Sequence, residues 1–185
     1  MELFQKHGYD KTTVEEIAAH AGLTERTFFR YFTDKREVLF SGSKDLEKSI
    51  IERIESADSG ASTLEVVVAA FEAAGAELQE RRELSFVRAR YALVTKHAEI
   101  QERELIKLAS LALAVTQALH ARGVAEPTAS LAAEAGIAIF KIGFERWVCE
   151  RKPRDFATHV REAATALSAL TGASKSPAGS TRGRR

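Results

Sequence analysis

A side-chain oxygen followed three residues later by a glutamate recurs along this chain of 185 residues, at Thr13 and Glu16, Asp34 and Glu37, and Ser62 and Glu65. In each pair the first side chain can accept a bond from a backbone N–H left open at a helix start. The glutamate carboxylate can in turn accept from the first residue's own N–H, which makes a capping box. Apolar residues at helical spacing follow: Val14, Ile17, Ala18 and Ala21 after the first box, and Leu64, Val67, Val68, Phe71 and Leu78 after the third. With only 11 Gly and 3 Pro, and with Ala, Leu, Glu, Lys and Arg dominant, the chain is predicted to be all-α.

The remaining signals divide the chain near residue 55 into a unit of short helices and a larger bundle. Gly8 closes the helix that Leu3 and Phe4 begin, Gly22 closes the next, and Thr24 caps a third after a tight turn. Asp34 opens a helix expected to run from Lys35 to about Glu55, roughly 30 Å long, that bridges the two units. Further helices are expected from Ser62, over Leu84 to about His97 and over about Glu99 to Arg122. Two more run from about Thr128 to Cys149 and from Phe156 through Leu170. The helix after Glu99 is apolar on two faces, with Leu108, Leu111, Ala112, Val115 and Leu119 on one and Ile106, Ala109 and Leu113 on the other, which predicts a place in the middle of the bundle. The tail from 172 to 185, with Lys175, Arg182, Arg184 and Arg185 and no acid, has no periodicity and is expected to be disordered.

Net charge is only +1, so bulk electrostatic coating of nucleic acid is not expected, and the placement of the charges matters more. On a helix over residues 24 to 33, at about 100° per residue, Phe32 falls roughly 40° from Phe28, whereas Arg26 and Arg30 fall about 160° to 200° away. Two rings would hold the helix down and two arginines would face outward. The major groove admits one helix and offers guanine edges that pair with arginine, although a basic outer face is also common on ordinary solvated helices. Two capped helices joined by a glycine turn have the helix-turn-helix geometry, in which the second helix enters the groove.

The stretch "ELFQKHGYDKTTVEEIAAHAGLTERTFFRYFTDKREVL", Glu2 to Leu39, closely resembles the DNA-binding region of the TetR family of transcriptional regulators, without a gap. The resemblance implies a homodimeric, ligand-responsive regulator, usually a repressor, that binds double-stranded DNA at a roughly palindromic operator. By position it makes Glu25, Arg26 and Arg30 base readers, with Thr27 and Phe29 beside them. Thr13, Thr24, Tyr31 and Lys35 match phosphate-contacting positions. Glu25 has a second reading as an acid in the first turn favoured by the helix dipole. Phe29 replaces a tyrosine common in the family, which removes a hydroxyl and leaves contact with a thymine methyl. In the family the first helix runs two to three turns further upstream, whereas this chain starts at Met1 in mid-helix. An internal methionine of a longer product, a fragment and a shortened first helix all account for that start. A dimeric helical ligand-binding or adaptor protein with impaired DNA binding is the alternative function.

The domains expected are a helix-turn-helix unit over 1–40, a ligand-binding and dimerisation bundle over 41–171 and the basic tail. An unknown small-molecule effector is expected in the bundle, with Phe71, Phe86, Arg90, Tyr91, Thr95, Thr116, Gln117, His120, Phe140 and Phe144 as candidate pocket residues, each also readable as core or surface. Small residues in the last two helices, with Phe140, Trp147, Phe156, Val160 and Leu167 for burial, are expected to pair with a symmetry mate. Lys141 and Glu145, four residues apart, are expected to form a surface ion pair. The five histidines are scattered and Cys149 is alone, so neither a metal site nor a disulfide is expected, and no cofactor or catalytic motif is read. With no signal peptide and no apolar run of about 20 residues, a cytoplasmic location is expected.

Overall fold

A computed structural model describes residues 1–172, so the tail beyond Gly172 lies outside the described residues. The helices are α1 (Glu2–His7), α2 (Val14–His20), α3 (Glu25–Tyr31), α4 (Ser43–Glu55), α5 (Thr63–Arg81), α6 (Leu84–Lys96), α7 (Ala98–Ala121), α8 (Thr128–Cys149) and α9 (Phe156–Gly172). A 3₁₀ segment, Lys35–Phe40, stands between α3 and α4. Among the described residues there is no strand. The capping boxes at Thr13 and Ser62 form with both bonds in place.

The third expected box does not close, and the long bridging helix does not form. Asp34 accepts from the N–H groups of Arg36 and Glu37, but the Glu37 carboxylate turns away to pair with Arg103 and Lys107 on α7. The backbone tightens into the 3₁₀ segment and breaks at Gly42, whose φ of 93° is a left-handed conformation that side chains with a Cβ resist. A jointed connection, 3₁₀ segment then α4, therefore links the two units.

The main core lies between α4, α5, α7, α8 and α9. Phe71 packs tilted against Phe140 and Phe140 tilted against Phe156, and Trp147 lies flat on Phe156 with ring centroids 5.0 Å apart. These rings fit because three glycines let the helices close on one another. A Cβ on Gly136 would overlap Val67 Cγ1 and come within 2.7 Å of Phe71 Cε2, one on Gly75 would stand 2.9 Å from Phe156 Cδ1, and one on Gly143 would reach the backbone of His159 and Val160. The small residues expected at a dimer interface thus serve packing within one chain. Phe140, Trp147, Phe156 and Val160, predicted for the same interface, are buried in this core, and Leu167 packs half-buried against it. The second apolar face of α7 is also not covered: Ile106 and Leu113 are exposed. Glu145 accepts a bond from the Tyr91 hydroxyl at 3.1 Å instead of pairing with Lys141.

A smaller core joins the N-terminal unit to the bundle, with Phe4, Tyr9, Leu39 and Phe40 packed against Val94 of α6 and Ile100 of α7. Among the described residues no helix is long and apolar enough to cross a membrane. Replacing Gly136 by Ala is expected to destabilise the fold by about 1–3 kcal/mol, the usual cost of overfilling a packed core, and to lower the midpoint of a thermal melt followed by circular dichroism.

Candidate nucleic-acid interface

Three local bonds set the geometry of the N-terminal unit. Thr13 opens α2 by accepting from Glu16 N at 3.1 Å, and Leu23 N donates back to Ala18 O at 2.8 Å across the turn. Thr24 opens α3 by accepting from Thr27 N at 3.2 Å. Gly22, at φ 68°, supplies the left-handed residue that lets the chain reverse within this turn. The helix pair is thus fixed before any side chain of the outer face is considered.

Phe28 is buried and its ring lies 5.1 Å from that of half-buried Phe32, so the inner face of α3 is as the helical wheel predicts. Glu25, Arg26, Phe29 and Arg30 are exposed on the outer side and Thr27 is half-buried. Tyr31 is 66% exposed, its hydroxyl accepts from Arg30 Nη2 at 2.9 Å and the guanidinium lies over its ring. The Thr13 and Thr24 hydroxyls accept the capping bonds while both residues remain exposed.

Lys35 has a different part from the expected phosphate contact. Its Nζ donates to the carbonyls of Tyr9, Asp10 and Thr12 at 2.8, 3.3 and 3.2 Å and sits over the Tyr9 ring. An ammonium has three N–H donors and all three are directed to backbone, so Lys35 ties down the loop between α1 and α2. Thr12, which the sequence reading passed over, assists: it is buried and donates to Gly8 O at 2.8 Å. The signal was the Thr-Thr pair after Gly-Tyr, in which only the second residue reads as a cap.

The link to the bundle is electrostatic as well as apolar. Glu37 pairs with Arg103 and with Lys107, the latter at 3.3 Å. Arg90 of α6 donates to Leu39 O at 2.8 Å, pairs with Glu104 at 2.6 Å and lies over the Phe40 ring. The Arg103 guanidinium foremost, against the opposing effect of burial and with help from Lys107, holds the Glu37 carboxyl below the usual glutamate range.

Beside this link is a cavity of about 850 Å³, lined by the 3₁₀ segment, the start of α4 and parts of α5 to α8. Of the candidate pocket residues it gathers Phe86, Arg90, Phe140 and Phe144. Phe71 is closed into the core, and Tyr91, Thr95, Thr116, Gln117 and His120 lie elsewhere. Thr95 and Thr116 bond to carbonyls of their own helices, Gln117 is exposed, and His120 meets Val124 O and Glu126. Sequence reasoning missed the cavity's cations, Lys44, Arg82, Arg103, Lys107 and Lys141 among them, since each by itself looks like a solvated surface residue.

A capped helix, a glycine turn and a second capped helix with two outward arginines define a helix-turn-helix protein carrying a helical bundle. Residues 1–41 match the family described as bacterial regulatory proteins, tetR family. The helix-turn-helix unit is thus similar to the DNA-binding region of TetR-family regulators, and this match does not extend into the bundle. Over 73 residues it is 36% identical to the HTH-type transcriptional regulator TcmR of Streptomyces glaucescens; the match covers 40% of this chain and 32% of TcmR, so it spans about a third of that curated relative. The whole fold is similar to that of Thermus thermophilus FadR, a TetR-family transcriptional repressor solved in complex with lauroyl-CoA. That likeness has a TM-score of 0.60 at 22% identity, over 97% of this chain and 95% of the other. A TetR-family structure from Mesorhizobium loti is similar with a TM-score of 0.55 at 20% identity, over 93% and 91% of the two chains. At these identities the likeness is one of fold.

Because Glu37 titrates below its unfolded value of 4.5, its contribution to stability is complete above that pH and is lost as pH falls through the lower folded value. Glu37→Gln is expected to cost about 1 kcal/mol in urea unfolding at pH 7, the difference between a charge-assisted and a neutral hydrogen bond, and the gap from the parent protein should narrow below pH 4.5.

Proposed function

We propose that this protein is a transcriptional regulator, a ligand-responsive repressor, that binds a roughly palindromic DNA operator as a homodimer. The observation that carries the reading is the placement of Arg26 and Arg30, exposed on a short helix whose opposite face is held by buried Phe28 and half-buried Phe32. Arginine pairs in bidentate fashion with guanine O6 and N7 in the major groove, and Glu25 can accept from cytosine N4. Arg30 lies against Tyr31 and must swing away from it to reach a base edge. Thr13 keeps a hydroxyl hydrogen for a phosphate oxygen, the Thr24 hydroxyl shares one hydrogen bond with that of Thr27 at 3.1 Å, Tyr31 presents an exposed ring and hydroxyl, and Phe29, 53% exposed, can meet a thymine methyl.

For the dimer, Phe140, Trp147, Phe156 and Val160 are inside the core and Leu167 is half-buried against it, and the outer face of α8 takes their place. Leu131 and Ile142 are exposed on it, with exposed Ala138 between them. A dimer matches the two half-sites of a palindrome, because the protein's twofold axis then coincides with that of the operator. The FadR neighbour holds an acyl-CoA, and a bundle cavity touching the 3₁₀ segment supports an effector that acts on the DNA-binding unit here as well. A function within the cytoplasm and the absence of any catalytic role or cofactor go with this reading.

Titration of promoter DNA from the protein's own genomic neighbourhood, at several salt concentrations, tests it. Binding with a sequence preference and a steep fall with salt is the expected result, and equal weak binding to all sequences would sink the reading in favour of a ligand-binding or adaptor protein. Arg30→Ala should cost about 1–3 kcal/mol on the preferred site and relax its preference. Ile142→Glu should shift the dimer towards monomer in sedimentation and weaken operator binding with it.

A further inference from the structure

The cavity beside the 3₁₀ segment joins an apolar body to an excess of positive charge. Leu78, Phe86, Leu108, Leu111, Phe140 and Phe144 supply the apolar side. Around them stand seven Lys and Arg side chains against four carboxylates. Some of these cations are already neutralised: Arg81 pairs with Glu77 and Arg90 with Glu104. Among the described residues Lys44 and Lys141 have no acidic partner, and Arg82 is held only over the Phe86 ring, with its centroid 5.0 Å from the guanidinium carbon. Partnerless cations gathered at an apolar cavity of this volume, within the usual range for small-molecule sites, call for an organic anion.

Two further cations face two ways. Arg103 and Lys107 line the cavity and also hold Glu37, the carboxylate that ties the 3₁₀ segment to α7. The Lys107 ammonium also lies 5.5 Å from the centroid of the Phe40 ring, itself part of the cavity wall. We propose that the cavity binds an organic anion with an extended apolar body, a carboxylate or a phosphate monoester, whose charged group is held by Arg82 and competes with Glu37 for Lys107 and Arg103. Occupancy then loosens the tie between the 3₁₀ segment and α7, and so changes the stance of α3 relative to the bundle. The binding step is independent of DNA, and only the consequence for α3 rests on the regulator reading. Coupling of this kind is reciprocal: operator DNA must weaken the anion by the factor by which the anion weakens the operator.

The test uses the full chain and four probes sharing one apolar body: dodecanoate, dodecyl phosphate, dodecanol and dodecylamine, each below its micellar concentration. Binding is read by calorimetry and by the emission of Trp147, the only tryptophan in the chain, whose ring is 6.1 Å from that of the cavity residue Phe144. The two anions should bind at least about tenfold more tightly than dodecanol, the order of one charge-assisted hydrogen bond, and dodecylamine more weakly than either. Arg82→Ala should remove most of that advantage and leave dodecanol unchanged. Glu37→Gln, which releases Lys107 and Arg103, should tighten dodecanoate several-fold and leave dodecanol unchanged. Should Glu37→Gln fail to fold, Lys107→Gln serves in its place and should weaken the anions alone. Equal affinity for dodecanol and dodecanoate, or no binding of the anions to folded protein, overturns the assignment of the ligand. Unchanged dodecanoate affinity in a folded Glu37→Gln variant, or in Lys107→Gln where that stands in, overturns the competition. A chain that binds the anions yet binds no operator leaves the cavity's ligand standing and defeats the regulator reading instead.

Discussion

Leu39 and Phe40, at the end of the 3₁₀ segment, are buried against Val94 and Ile100, and that contact fixes where the DNA-binding unit stands on the bundle. Removing rings and branched chains of this size from water is worth about 1.5–3 kcal/mol for each side chain, enough to hold a small unit in one place. Polar bonds then select among apolar packings of similar energy. Arg90 reaches Leu39 O, Lys35 gathers the carbonyls of the loop after α1, and Tyr9 meets His97 with ring centroids 4.9 Å apart. The 3₁₀ segment is therefore a packed joint between the recognition helix and the cavity.

Under the proposed function, the same joint is what couples recognition to effector binding. A rigid helix running from Lys35 to Glu55 would pass any motion straight through. The break at Gly42 instead leaves a short segment held on one side by Asp34 and on the other by Glu37. Glu37 shares its cations with a cavity, so in the proposed coupling a change of charge there reaches the DNA-binding unit without repacking the main core. The three glycine contacts in α5, α8 and α9 keep that core close-packed, which is a condition for small local changes to be passed on as discrete shifts.

Much of the secondary structure was legible in the sequence because its signals are local. The Thr13 and Ser62 boxes and the Thr24 cap follow from side chains interacting with backbone a few residues away, and the Gly22 turn follows from the positive φ that glycine permits. Where the reading failed, a distant partner had outbid a local one. Glu37 could have closed a box with Asp34, but two cations on α7 offered more than one backbone N–H. Lys35 looked like a phosphate contact until three carbonyls from another loop took its donors. Phe140, Trp147, Phe156 and Val160 were read as interface because a sequence shows that a face is apolar and small but not which surface covers it.

By itself, then, the sequence determined an all-helical chain, the two capped helices of the DNA-binding unit and the outward position of Arg26 and Arg30, since each is set by dihedral preference, capping or periodicity within about ten residues. The tertiary structure decided that the connection is jointed, that the aromatic residues of α8 and α9 are internal, and that cations from five elements converge on one cavity. Such choices depend on groups brought together from positions far apart in the chain, and no pattern along the chain records which of several possible partners will be nearest once the core has closed.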